Sequence, residues 1–248
     1  MAILTVENVS KSFDGEEILK DISIELNKGE LVSILGVSGS GKTTLFNLIS
    51  GLEKPDSGSV ILENEDVTGV SGKVSYMLQK DMLLPYKTVL DNVALPLIIK
   101  GEKKKIAREK AREYFTDFGL EGTESKYPSQ ISGGMKQRAA FLRTYLFSEK
   151  VALLDEPFSA LDMLTKQTLH EWYLDVMDKI HLSTLFVTHD IDEAIMLSDR
   201  IYLITGKPGQ ITKEIVIEKP RGKRKDFNLS EEFLRYKREI VEELNKKD

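Results

Sequence analysis

The chain has 248 residues, no cysteine and a formal net charge of −5. Its length suits one large domain or a core with an inserted subdomain, and the missing thiols exclude disulfides, thiolate metal sites and a cysteine nucleophile. The acidic balance gives no electrostatic reason to expect nucleic acid as a partner.

The opening "MAILTVENVS" lacks a basic stretch ahead of an apolar one, so it does not read as a secretory signal. Residues 3–9 and 22–26 alternate apolar and polar, the period of half-buried antiparallel strands. "ELVSILG" is instead a short apolar run into glycine, expected of a central strand buried on both faces. A helix is expected from Thr43 to Ser50. From about Lys80 to Glu149 strand signals stop and helices take over, with periodic stretches at Lys104–Phe118 and Met135–Phe147. "VLDNVALPLIIKG" is too short and too interrupted to cross a membrane.

Strand signals return at "KVALLDE", "STLFVTH" and "RIYLITG", separated by helical patterns at Leu164–Ile180 and Asp192–Leu197. Strands alternating with helices imply an α/β fold with a parallel sheet covered on both faces. The basic run "RGKRK" reads as a solvated linker. Ser230 then opens a helix with Phe233, Leu234, Ile240, Val241 and Leu244 expected on one face. The division expected is a core of 1–79 and 150–220, a helical insertion of 80–149, and a linker with terminal helix at 221–248.

"GVSGSGKT" (Gly36, Val37, Ser38, Gly39, Ser40, Gly41, Lys42 and Thr43) fits a phosphate-binding loop and lies between a buried strand and a helix. Its glycines let backbone N–H groups face phosphates, and the following helix adds the positive end of its dipole. Lys42 would reach the β- and γ-phosphates, and the Thr43 hydroxyl could ligate Mg²⁺. The pattern predicts a nucleoside triphosphate. "VALLDEP" ends a buried strand with Asp155 and Glu156. One carboxylate there is the expected magnesium partner, Asp155; the other, Glu156, could act as general base or orient a water for in-line attack. His189 follows another apolar strand and would emerge at the same edge, where it could donate to the γ-phosphate. His170 and His181 lack such a setting and read as structural.

Together, the loop Gly36–Thr44, Gln79, "SGG" at Ser132, Gly133 and Gly134, "LLDE", "SALD" ending at Asp162, and His189 resemble the ATP-binding cassette (ABC) ATPases over most of the chain. The resemblance implies a P-loop NTPase fold: a RecA-like core, an N-terminal antiparallel β-subdomain and an inserted helical subdomain carrying the signature. It implies ATP and Mg²⁺ as cofactors. It also implies that Phe13 stacks on adenine, that Thr44 belongs to the phosphate site, and that Gln79 contacts the metal and the attacking water. Asp162 would sit at a subunit interface. Two subunits would pack head to tail, each signature serving the nucleotide held by the other chain. Ile131 in place of Leu and Met135 in place of Gln depart mildly from the family pattern.

The stretch from Gln79 to Gly101 more closely resembles importers of the nitrate, sulfonate and taurine group, although Tyr86 stands where that group often has Trp. In that group the segment forms a groove for a coupling helix of a membrane permease, which a solute-binding protein supplies. The implied location is cytoplasmic, on the inner face of the cell membrane. The alternative is a non-transport ABC ATPase, for example of iron–sulfur assembly.

Overall fold

Alternating apolar residues at the start of the chain form two antiparallel strands, β1 (Ala2–Phe13) and β2 (Glu16–Asn27). The computed structural model describes residues 2–148, 150–159, 162–224 and 226–246. Glu149, Ala160 and Leu161 of "SALD", and Lys225 of the basic run lie outside the described residues. Val6, Val9, Ile22, Ile24 and Leu26 are buried on the inner face of this pair.

In β3 (Leu31–Gly36) all six residues are buried. Val32 and Ile34 pack towards the first sheet and Leu35 towards the opposite layer, because successive side chains of a strand alternate in direction. The phosphate loop then enters α1 (Lys42–Ile49). The chain returns through β4 (Ser57–Leu62) and β5 (Glu65–Asp66), giving an antiparallel sheet of order β2-β1-β4-β5.

β6 (Ser75–Met77) leads into the helical segment, with α2 (Val89–Val93), α3 (Leu95–Ile99), α4 (Lys104–Glu113) and α5 (Gly133–Phe147). α4 stops short of the expected Phe118. Tight bonds from Tyr114 N to Ala111 O and from Phe115 N to Arg112 O bend the chain, and Phe115 and Phe118 are both buried beyond the bend. Phe118 packs there against Phe141 and Tyr145 of α5.

The rest of the core follows in β7 (Val151–Asp155), α6 (Met163–Ile180), β8 (Ser183–Thr188), α7 (Ile191–Leu197), β9 (Arg200–Thr205) and β10 (Gln210–Val216). The second sheet has the order β10-β9-β3-β8-β7-β6, parallel except for β10 at the edge. β3, β6, β7 and β8 therefore deliver their carboxyl ends to one edge, where open α/β sheets bind ligands.

The basic run is not a solvated linker. Arg224 is buried and donates to the carbonyls of Lys219, Ile195, Met196 and Ser198. Arg221 pairs with Asp199. The guanidinium of Arg224 thus meets carbonyls at the end of α7 that the helix itself leaves unpaired. In α8 (Glu231–Asn245) the buried face is Phe233, Tyr236 and Ile240; Leu234 and Val241, expected inside, are exposed.

Candidate functional site

The phosphate loop needs glycine for two separate reasons. Gly41, the residue before α1, sits at φ 86°, and a Cβ there would also strike Leu19 Cδ2 at 2.6 Å. At Gly36 a Cβ would lie 2.3 Å from the Ile204 carbonyl, because β9 runs directly against the loop. No side chain caps α1, which leaves its first N–H groups for a phosphate. Val37, Ser38 and Gly39 are exposed, Ser40 is buried and Thr44 half-buried. Lys42 folds over the loop, donating to Gly36 O at 2.9 Å and Val37 O at 2.8 Å. Burial lowers its pKa, while the charges of Glu156 and Asp155 pull it back up.

Asp155 is buried at the end of β7, and one oxygen accepts from Thr43 Oγ1 at 3.4 Å and Tyr76 Oη at 3.3 Å. Burial raises its carboxyl pKa; the nearby Glu156 adds to this, and the Tyr76 and Thr43 hydroxyls and Lys42 oppose it. A desolvated carboxylate facing a hydroxyl is a hard oxygen donor pair suited to Mg²⁺. No group of three or more His, Cys, Asp or Glu that could hold a metal occurs among the described residues. A cation here would complete its shell with phosphate and water oxygens, which is the habit of Mg²⁺.

Glu156 has a left-handed backbone at φ 44°, which costs a non-glycine residue about 1–2 kcal/mol. Its N–H donates to Val187 O at 3.0 Å, which ties the residue to the end of β8. Glu156 Oε1 lies 3.2 Å from His189 Nδ1, and Oε2 accepts from Gln79 Nε2 at 3.1 Å. Gln79 also reaches Ser159 Oγ at 3.4 Å. Gln79, expected to contact the metal and the attacking water, thus lies beside Glu156.

Lys42, Thr43, Gln79, Asp155, Glu156 and His189 meet at this one edge. Phe13 stands exposed at the end of β1, with Lys11 Nζ 5.1 Å from its ring centre. The signature lies elsewhere. Ser132 caps α5 by accepting from Met135 N at 3.3 Å, and Gly133 and Gly134 form the first helical turn. Ser132 and Gly134 open on a cleft of about 380 Å³ shared with Arg138, Thr165 and Thr168 and, among the described residues, with none of the phosphate loop. Asp162 caps α6, accepting from Thr165 N at 3.1 Å and Thr165 Oγ1 at 2.6 Å.

Two contributors were not read from the sequence. Tyr76 carried no motif, and its signal was only a polar tip beside the end of β6. Arg143 of α5 donates to the carbonyls of Asp81 and Met82, tying the segment after Gln79 to the signature helix.

Residues 19–159 match the family model described as ABC transporter. The formylaminopyrimidine import ATP-binding protein of Halalkalibacterium halodurans is 48% identical over 83% of this chain and 81% of its own length. An aliphatic sulfonates import ATP-binding protein of Bacillus cereus is 38% identical over 97% and 95%. An ATP-binding cassette solved as a dimer in a post-hydrolysis state with ADP and Pi superposes with a TM-score of 0.72 at 30% identity, covering 88% of this chain and 100% of that one.

Proposed function

This chain belongs to the ABC transporter family and is an ATPase, and from that premise we propose that it is the energising subunit of an importer, working as a head-to-tail dimer under a membrane permease. The observation that carries the reading is the separation of the signature from its own phosphate loop, although each half is built to meet a phosphate. A second copy facing the first would bring Ser132, Gly133 and Gly134 onto the γ-phosphate held by the other chain, with Asp162 beside that interface.

Within one site the division of labour follows from geometry. Phe13 offers an exposed ring for adenine, and Gly36 to Thr44 surround the phosphates. Lys42 trades its loop carbonyls for phosphate oxygens. Glu156 holds the in-line water and takes its proton, and Gln79 orients Glu156 through the 3.1 Å bond. With Nδ1 of His189 turned to Glu156, Nε2 is left for the γ-phosphate. Thr43 and Asp155 would hold Mg²⁺, which when bound neutralises charge developing on the phosphates.

A groove of about 420 Å³, lined by Leu52, Met82, Leu84, Leu95, Ile99 and Phe147 among others, supports permease docking. Tyr86 stands exposed outside that lining. No helix among the described residues is long and apolar enough to cross a membrane; in the proposed assembly the permease supplies the membrane path. The reading places the chain on the cytoplasmic face, with a solute-binding protein acting across the permease. The solute is a small anion such as nitrate, sulfonate or taurine, or a related compound. Reconstitution with a candidate permease in vesicles tests this: ATP hydrolysis should rise with the permease and its solute-binding protein. ATPase activity indifferent to any permease, with co-purification of iron–sulfur assembly partners, would favour the non-transport alternative.

A further inference from the structure

His189 is flanked by Thr188 and Asp190, and both are clamped by two residues that touch no phosphate-site group. Glu193, in the first turn of α7, is 4% exposed. Its Oε2 accepts from Thr188 Oγ1 at 2.6 Å, and that hydroxyl in turn accepts from Asp190 N at 3.0 Å. Lys166 of α6 reaches across and puts Nζ 2.5 Å from Glu193 Oε1 and 2.7 Å from Asp190 Oδ2. Asp190 Oδ1 closes the ring by accepting from the N–H groups of Asp192 and Glu193. His170 of α6 adds its Nε2 at 3.5 Å from Glu193 Oε1, and its ring packs edge-on against Phe158 at 4.6 Å. The backbone on both sides of His189 is thus fixed to α6. Lys166 lies one turn after the α6 cap, Asp162, and its N–H bonds to the Asp162 carbonyl at 2.9 Å.

We infer that Lys166 and Glu193 are positioning residues that set the distance between His189 and Glu156, and that they link the Asp162 end of α6 to the hydrolytic centre of the same chain. A lysine held between two carboxylates by short bonds, one of them buried, has a defined position rather than a solvated spread of rotamers. His189, by contrast, has a largely exposed ring, so its aim depends on where the flanking backbone is held. Movement of the first turn of α6, as when a second chain closes on Asp162, is passed through Lys166 to Thr188 and Asp190. The inference rests on His189 facing the γ-phosphate as proposed above.

The test compares Lys166→Met, Glu193→Gln and Lys166→Arg with the unmodified chain and with His189→Ala. Steady-state ATP hydrolysis and equilibrium binding of a fluorescent ATP analogue are measured in each. Misplacing a catalytic group by an ångström can cost about 100-fold in rate. Lys166→Met and Glu193→Gln should therefore lower kcat by about 10- to 100-fold while nucleotide affinity stays within about twofold. Lys166→Arg keeps the charge and both carboxylate partners and should recover most of the rate. Unchanged kcat in both variants, or loss of kcat and nucleotide affinity together, overturns the inference; so does Lys166→Arg being as slow as Lys166→Met. If His189→Ala itself keeps the unmodified rate, it is the role of His189 that fails. Should a single variant not fold, Lys166→Met/Glu193→Leu removes both charges at once. A folded, slow double variant supports the inference, and one at the unmodified rate overturns it.

Discussion

Glu156 Oε1 and His189 Nδ1 stand 3.2 Å apart, although the two residues directly follow different strands, β7 and β8. The parallel pairing of those strands sets Asp155 opposite Val187, and the Glu156 N–H bond to Val187 O carries that register one residue further. The contact is therefore a consequence of sheet register, not of loop chance.

Glu156→Gln keeps the size of the side chain and one acceptor oxygen but removes the oxygen able to take a proton. Turnover should fall by at least about 100-fold, the usual contribution of a general base, while ATP binding is retained. Gel filtration with MgATP should then show a stable dimer that the unmodified chain forms only transiently. Hydrolysis near the unmodified rate would remove Glu156 from the chemistry.

Ile99 is exposed and lines the apolar groove. Ile99→Asp places a charge where a permease helix is proposed to bury apolar surface, so it should abolish most stimulation of ATP hydrolysis by the permease. The isolated chain should hydrolyse ATP at its usual rate, because Ile99 contributes nothing to the phosphate site. Equal loss in the isolated chain would mean that the groove belongs to the ATPase machinery itself.

Arg224→Met leaves carbonyls of Ile195, Met196, Ser198 and Lys219 without their donor. Stranding buried acceptors costs about 1–3 kcal/mol each at most, and partial relaxation leaves a net loss of about 2–4 kcal/mol. For a chain of this size that lowers Tm by roughly 5–15 °C. A Tm within about 2 °C of the unmodified chain would show that water replaces the guanidinium there.

These cases show what the sequence could and could not reveal. The phosphate loop was legible because its residues act together within one short segment. Asp155, Glu156 and His189 were legible because apolar strands announce their own ends. Arg224 was not, since a run of Arg and Lys looks the same whether one member turns inward or all stay in water. The α8 face was half legible: Leu234 and Val241 share the helical period as well as Phe233 and Ile240 do, and packing against Phe227 chose Phe233 and Tyr236. The Lys166–Glu193 contact joins residues on two helices, and neither has a neighbour in sequence that announces the other.

The same contact gives a pH dependence with a defined sign. Burial would raise the Glu193 carboxyl, but the bonds from His170, Lys166 and Thr188 outweigh it and hold it below the usual range. A carboxyl whose folded pKa is depressed stabilises the fold above its unfolded value of about 4.3, and that contribution disappears as pH falls through the folded value. Glu193→Gln lacks it at every pH. The Tm gap between the two proteins should be widest near neutrality and narrow steadily on acidification. A gap independent of pH would assign the loss to packing rather than to charge.

The remaining prediction tests whether the phosphate site is shared between chains. Lys42→Ala removes the cation from the phosphates. Gly134→Asp places a carboxylate on the signature turn, and there is room for it: a Cβ at Gly134 meets only Thr165 Cγ2, at an ordinary 3.5 Å. An acidic residue in the first turn of α5 also suits the helix dipole, so the chain should fold. Its lesion is electrostatic, a like charge facing a desolvated γ-phosphate. Each homodimer should be nearly inactive, since both of its sites carry a lesion. In a mixture of the two variants, sites formed between chains pair one doubly damaged site with one that joins an intact loop to an intact signature. ATP trapping, and with it some hydrolysis, should return. The control is a chain carrying both lesions mixed with the unmodified chain: between chains that heterodimer has no intact site, whereas within chains it keeps one. Trapped nucleotide is counted beside phosphate release, because two sites that fire only together would hide the rescue from a turnover assay. Recovery confined to the control mixture would show that each chain serves its own nucleotide, and the cleft beside Ser132 would then need another occupant.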